Sequence, residues 1–165
     1  MDLDSASKPV AHPMLANDPA SEWMGIEVLD LRDGHATIQM SLRQDMLNGF
    51  GIAHGGMIFA FGDTAFALAC NAPDGDGSTI TVATGADINF IKSARLGQTL
   101  TAVANRRSNA GRSGIYDIQI TATASDGSPD ILAEFRGRSR TIPNPGAAGP
   151  ATSTTRNDAI KGSAK

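Results

Sequence analysis

Apolar and polar positions alternate along this chain in a way that predicts its elements. Residues 26–31, then Asp33-Gly34, then Ala36, Ile38, Met40 and Leu42 at every second position predict a β-hairpin turning at the Asp-Gly pair. A loop over 45–53 follows, carrying Asn48-Gly49 and Gly51. From Gly55 to about Asn71 the chain is apolar nearly all round, as expected of a helix buried on most sides rather than an amphipathic surface helix. Past the breaker Pro73-Asp74-Gly75-Asp76-Gly77 come strand-like runs over 79–90, 98–106, 114–123 and 131–142, with Ser125-Asp126-Gly127 as the turn before the last. The clearest alternation sets Ile115, Asp117 and Gln119 against Tyr116, Ile118 and Ile120.

Two strands, one buried helix and four further strands make an α+β chain in which helix and antiparallel sheet must bury each other. The simplest solution wraps the sheet around the helix, the hotdog arrangement, and leaves a sheet edge for a second copy of the chain. The first ten residues and 143–165 are rich in small and polar residues, so a flexible segment is expected over 1–14, the domain over 15–142 and a disordered tail over 143–165. A short helix should follow Asn17-Asp18-Pro19, with Asp18 as N-cap and Pro19 in its first turn, anchored on the domain by Trp23 and Met24. No internal repeat is visible.

Composition narrows the function classes. The 165 residues suit one domain that needs no disulfide or metal staple, and the single cysteine, Cys70, rules out an internal disulfide framework. With an acidic, non-apolar start and no run of roughly 20 apolar residues, the expectation is a cytoplasmic protein without a secretory leader or membrane span. The net charge of −3 argues against nucleic acid as a partner. Arg106, Arg107, Arg112, Arg136, Arg138 and Arg140 nonetheless cluster in the second half. Two readings stand for them: solvated strand charge, or a basic patch for the phosphates of a nucleotide-bearing ligand.

The buried helix carries the candidate chemistry. Asp63 is its single carboxylate, and an unpaired buried carboxylate is costly, so this one is paired, set at a cleft, on the helix's one wet face, or used. His54-Gly55-Gly56 opens the helix, where the first N–H groups lack intrahelical partners and the helix dipole favours a developing oxyanion; a plain junction with packing glycines is the alternative. Eight residues separate Gly55 from Asp63, about 12 Å along a helix axis. If both act on one carbonyl, they come from antiparallel helices of two subunits, so a catalytic reading requires a dimer. No His/Cys cluster completes a metal site, and no phosphate-cradling loop, dinucleotide fingerprint or Gly-x-Ser-x-Gly elbow is present. Cys70 reads as core, and neither His12 nor His35 suggests a role.

At this point the residues resemble a known family. The run Met46-Leu47-Asn48-Gly49, then His54-Gly55-Gly56, Phe59, Asp63-Thr64-Ala65-Phe66-Ala67 and Cys70-Asn71 is similar to the PaaI-type hotdog thioesterases of phenylacetate degradation. The likeness continues through Ile88-Asn89-Phe90, Gly111 to Asp117 and Phe135 to Ser139. It implies hydrolysis of aryl- or acyl-CoA thioesters to free acid and CoA, without metal or cofactor. Asp63 then corresponds to the family's catalytic carboxylate, as general base or nucleophile, and Gly55 to the N–H donor on the thioester carbonyl. His54 and Asn48 correspond to the polar residues that orient water or carbonyl. The resemblance further implies tetramers built from two dimers.

Around that centre, Phe50, Met57 and Phe59 are expected in the acyl pocket, each with ordinary core as the alternative. Gly56 and Thr64 are expected to line the site, and Arg112, Ser113 and Arg138 to lie near the CoA phosphates. Two rival readings share the fold: a non-catalytic acyl-CoA-binding or sensing protein, and a dehydratase or hydratase, which needs an acid/base His and a carboxylate in one site.

Overall fold

The computed structural model describes residues 10–124 and 127–147. Two of the expected turn residues, Ser125 and Asp126, lie outside that range, as do 1–9 and 148–165. In chain order the elements are α1 (Pro19–Met24), β1 (Glu27–Arg32), β2 (His35–Ser41), α2 (Gly55–Cys70), β3 (Thr79–Phe90), β4 (Thr99–Ala110), β5 (Ser113–Thr123) and β6 (Pro129–Pro143). The six strands form one antiparallel sheet in the order β1-β2-β4-β5-β6-β3. This is the α+β hotdog architecture, with the sheet curled around α2.

The alternation read from the sequence places the core. Ala36, Ile38 and Met40 of β2, Leu100, Ala102 and Ala104 of β4, and Tyr116, Ile118 and Ile120 of β5 turn inward onto Ile58, Phe61, Ala65, Phe66 and Leu68 of α2. Burying each of the larger side chains is worth about 1.5–3 kcal/mol relative to leaving it exposed. Glycine permits the close approach of helix and sheet. A Cβ on Gly137 of β6 would stand 2.6 Å from the Phe66 ring, and one on Gly62 would stand 3.2 Å from Ile120 and Phe135.

β3 departs from this pattern. It is an edge strand, and its residues are half-buried or exposed throughout, with Val82, Phe90 and the adjoining Ile91 open to solvent. A long apolar edge of this kind invites pairing with another chain.

Three local expectations are corrected. Trp23 does not anchor α1: it is 49% exposed, with the Arg43 guanidinium 4.9 Å from its ring, and Met24 alone is buried. Residues 10–14, expected outside the domain, make specific contacts with it. Val10 N–H reaches Val28 O, and His12 is buried, with Nε2 2.8 Å from Asn71 O and Nδ1 accepting from Met14 N–H. The start of the expected tail is also tied down, because Asn144 donates to Ser78 O and Gly77 O, both at 2.9 Å. Composition misses these seats because each rests on a few specific hydrogen bonds rather than on apolar area. The cap of α1 is as expected, with Asp18 accepting from Ser21 N–H at 3.1 Å.

Candidate active site

The loop before α2 is built around Asn48. Its Oδ1 accepts from Phe50 N–H at 2.9 Å and Ile52 N–H at 3.5 Å, while its backbone N–H bonds Ile52 O at 2.8 Å. Gly51, at φ +71°, makes the reversal that closes the loop. The loop delivers the chain to His54, whose N–H is held by Met46 O and whose Nδ1 accepts from Gly56 N–H at 3.0 Å. His54 is therefore the N-cap of α2. With Nδ1 engaged as an acceptor, the neutral ring carries its proton on Nε2, the other nitrogen.

Gly55 N–H has no acceptor among the described residues, since the first turn's bonds to His54 O come from Met57 and Ile58. It opens on a cleft of about 260 Å³ whose lining includes the apolar Ile52, Ile58, Phe90 and Leu132 and the polar Asn48, Lys92 and Ser93. Lys92 pairs with Asp130 at 2.7 Å. An unpaired N–H at a helix start, beside a polar amide in a cleft of mixed lining, can polarise a carbonyl oxygen.

Asp63 lies two turns further on, on the stripe of α2 that the sheet leaves uncovered together with Gly56, Phe59, Ala60 and Ala67. It is half-buried, with no hydrogen bond or ion pair among the described residues, and burial raises its carboxyl above the ordinary value. It does not line the cleft at Gly55. By helix rise the two residues stand about 12 Å apart. One chain thus holds an N–H without an acceptor among the described residues and a desolvated carboxylate, but does not bring them together.

The other expected site residues are scattered. Thr64 follows Asp63 but donates its hydroxyl to Ala60 O at 3.1 Å, with Ser21 Oγ 3.5 Å away. Met57 is half-buried against the core, and Phe59 packs on Phe135 with ring centroids 5.1 Å apart. Phe50 is 89% exposed at the loop tip, so this chain gives it no pocket to wall. Ser113 and Arg138 line a separate cleft of about 340 Å³ with Thr84 and Ile115. That cleft includes Ser139, seven residues along β6 from Leu132, or about 23 Å at the strand rise.

The arginine cluster is mostly paired. Arg106 binds Asp33, Arg107 and Arg136 share Asp117, and Arg138 binds Asp87, while the exposed Arg112 and Arg140 have no ion pair among the described residues. Solvated, paired strand charge fits all but those two. Cys70 behaves as core: burial pushes its thiol up to about 12, leaving no thiolate at neutral pH.

Sequence reasoning missed Phe90, whose ring lies against Gly55, and the walls Ile52 and Leu132. The signal available was an aromatic at the end of a strand whose neighbouring positions, Asp87 and Asn89, are polar.

Comparison with known proteins decides the family. A model of the thioesterase superfamily matches residues 50–125, from the Asn48 loop through α2 to the end of β5. Over 132 residues the chain is 36% identical to the acyl-coenzyme A thioesterase PaaI of Escherichia coli, covering 80% of this chain and 89% of that protein. The chain belongs to the PaaI-type hotdog acyl-CoA thioesterases. The solved E. coli PaaI, a protein of the phenylacetic acid degradation operon, superposes with a TM-score of 0.71 at 35% identity, over 79% of this chain and 89% of that one. The TT0310 protein of Thermus thermophilus gives a TM-score of 0.65 at 30% identity, over 74% and 97%. Among the described residues, no helix is long and apolar enough to cross a membrane.

Proposed function

We propose that this protein hydrolyses aryl- or acyl-CoA thioesters of the phenylacetyl-CoA kind to the free acid and CoA, at sites shared between two subunits. The observation that carries this reading is Asp63: a lone, desolvated carboxylate without a cation among the described residues, on the uncovered face of a helix whose start offers an unpaired N–H. The family places thioester hydrolysis on such a scaffold, and the acyl-coenzyme A thioesterase PaaI supplies the substrate class.

Gly55 N–H donates to the thioester oxygen and stabilises the charge that develops there, an effect worth about 10²–10³-fold. Asp63 of the partner subunit reaches the same carbonyl from an antiparallel α2. As general base it takes a proton from water, the hydroxide adds to the carbonyl carbon, and collapse of the adduct breaks the C–S bond and releases CoA thiolate. As nucleophile it adds to the carbonyl carbon, the C–S bond breaks with release of CoA thiolate, and water then opens the resulting acyl-carboxylate anhydride to the free acid and the regenerated carboxylate. Either role contributes about 10²–10⁴-fold. The Nε2–H of His54 and the amide of Asn48 orient water or carbonyl. The open edge of β3 supports the dimer, and a tetramer of two such dimers is the assembly expected. Arg112, Ser113 and Arg138 are proposed near the CoA phosphates, and the single cysteine fits a cytoplasmic setting.

Thiol release from a panel of aryl- and alkyl-CoA thioesters, beside Asp63→Asn, tests this. Release that falls by about 10²-fold or more in the variant supports the hydrolase. Tight CoA-ester binding without release from any ester would replace it with the sensing protein.

A further inference from the structure

Phe90 is the residue of the cleft that nothing above accounts for. It closes β3, where its register partner is Ala133, and the next two residues both donate to Leu132 O, Ile91 N–H at 2.8 Å and Lys92 N–H at 3.2 Å. Both sets of contacts run to β6, so the side chain stands on a paired strand end rather than on a loop. The ring lies along the start of α2. A Cβ built on Gly55 would meet Phe90 Cζ at 3.2 Å, so the ring borders the backbone whose N–H is free. Phe90 is 57% exposed in the single chain, and the part of its ring that lines the cleft is aromatic surface a ligand there would cover.

We infer that Phe90 is the specificity-determining wall of the acyl chamber, selecting flat aryl groups over long alkyl chains. The inference rests on the thioesterase reading, which puts the thioester oxygen at Gly55 N–H and therefore the acyl group against Phe90, Ile52, Ile58 and Leu132. An apolar cavity of about 150 Å³ holds a benzene-sized ring. The cleft, at about 260 Å³, has room for one ring and the reacting carbonyl. Offset stacking of an aryl group on Phe90 adds about 3- to 10-fold in binding beyond the area buried.

The test is the ratio of kcat/KM for phenylacetyl-CoA to that for decanoyl-CoA in wild type, Phe90→Ala and Phe90→Leu. Phe90→Ala, which removes the wall, should lower the ratio by about 10-fold or more, as expected for a pocket reshaped by several carbons. Phe90→Leu keeps bulk but loses the ring, and should lower it by about 3- to 10-fold. If truncation to alanine compromises folding, the leucine variant still reads the ratio. A ratio unchanged within about twofold in a folded variant overturns the inference while leaving the hydrolase intact. Failure of the wild type to release thiol from either ester overturns the underlying reading and this one with it.

Discussion

At Asp63 the proposed chemistry and the stability of the fold oppose each other. Its carboxyl is desolvated and has no cation or donor among the described residues, so its value in the folded chain lies above the ordinary 3.8. Between those two values the folded chain holds the proton more tightly than the unfolded one, so stability falls as pH rises through that window and the full cost stands above it. Asp33 and Asp117 act in the opposite direction: their arginine partners hold them below the ordinary value, so what they contribute is present at neutral pH and lost on acidification. Asp63→Asn should therefore melt at higher temperature than wild type at pH 7, with the gap narrowing as the pH is lowered towards about 4. The same substitution should cost about 10²–10⁴-fold in thiol release, and in wild type kcat/KM should fall on the acid side through the raised value. Thermal melts from acid to neutral pH beside initial rates check both. A variant less stable at neutral pH would mean that the assembled protein pairs this carboxylate.

At the scale of elements, legibility followed apolar pattern. α2 was readable because apolar residues run over four turns, and β5 because Tyr116, Ile118 and Ile120 alternate cleanly with solvent-facing positions. β3 was readable as a strand from its β-branched content, but its half-exposed burial follows from its place at the sheet edge, which no local pattern encodes. The candidate site was partly legible: Asp63 and the His54-Gly55-Gly56 start stand out as local anomalies, whereas the cleft walls Phe90 and Leu132 come from strands far apart in sequence. How closely α2 approaches the sheet is equally invisible, because it depends on side chains absent at Gly62 and Gly137. Gly137→Ala would place a methyl 2.6 Å from the Phe66 ring, beneath a ring already set edge-on to Tyr116 at 5.3 Å. It should destabilise the fold by about 1–3 kcal/mol, read from urea denaturation midpoints. Adding Phe66→Leu should recover part of that loss. A neutral Gly137→Ala would show that α2 can lift from the sheet without penalty.

For the whole molecule the decisive quantity is the separation of Gly55 and Asp63 along one helix, about 12 Å, which one thioester carbonyl does not span. A site made from two chains has a consequence that a site within one chain lacks: two inactive variants can repair each other. Gly55→Pro removes the free N–H at a position where proline is tolerated in a helix, and His54 before it is already extended at φ −65°, ψ 130°, as a residue preceding proline must be. Alone, it should lose about 10²–10³-fold in turnover. Asp63→Asn alone should lose at least as much. In a dimer carrying one chain of each, one site pairs an intact Gly55 N–H with an intact Asp63 and the other site has neither. Random reassociation of equal amounts gives half mixed dimers with one working site of two, so about a quarter of wild-type thiol release should return. Co-refolding the two variants, with sedimentation to verify that the dimer has re-formed, reads this directly. Recovery no greater than the sum of the separate variants would place donor and carboxylate within a single chain's site, and α2 would then have to bend or the substrate to bridge both ends.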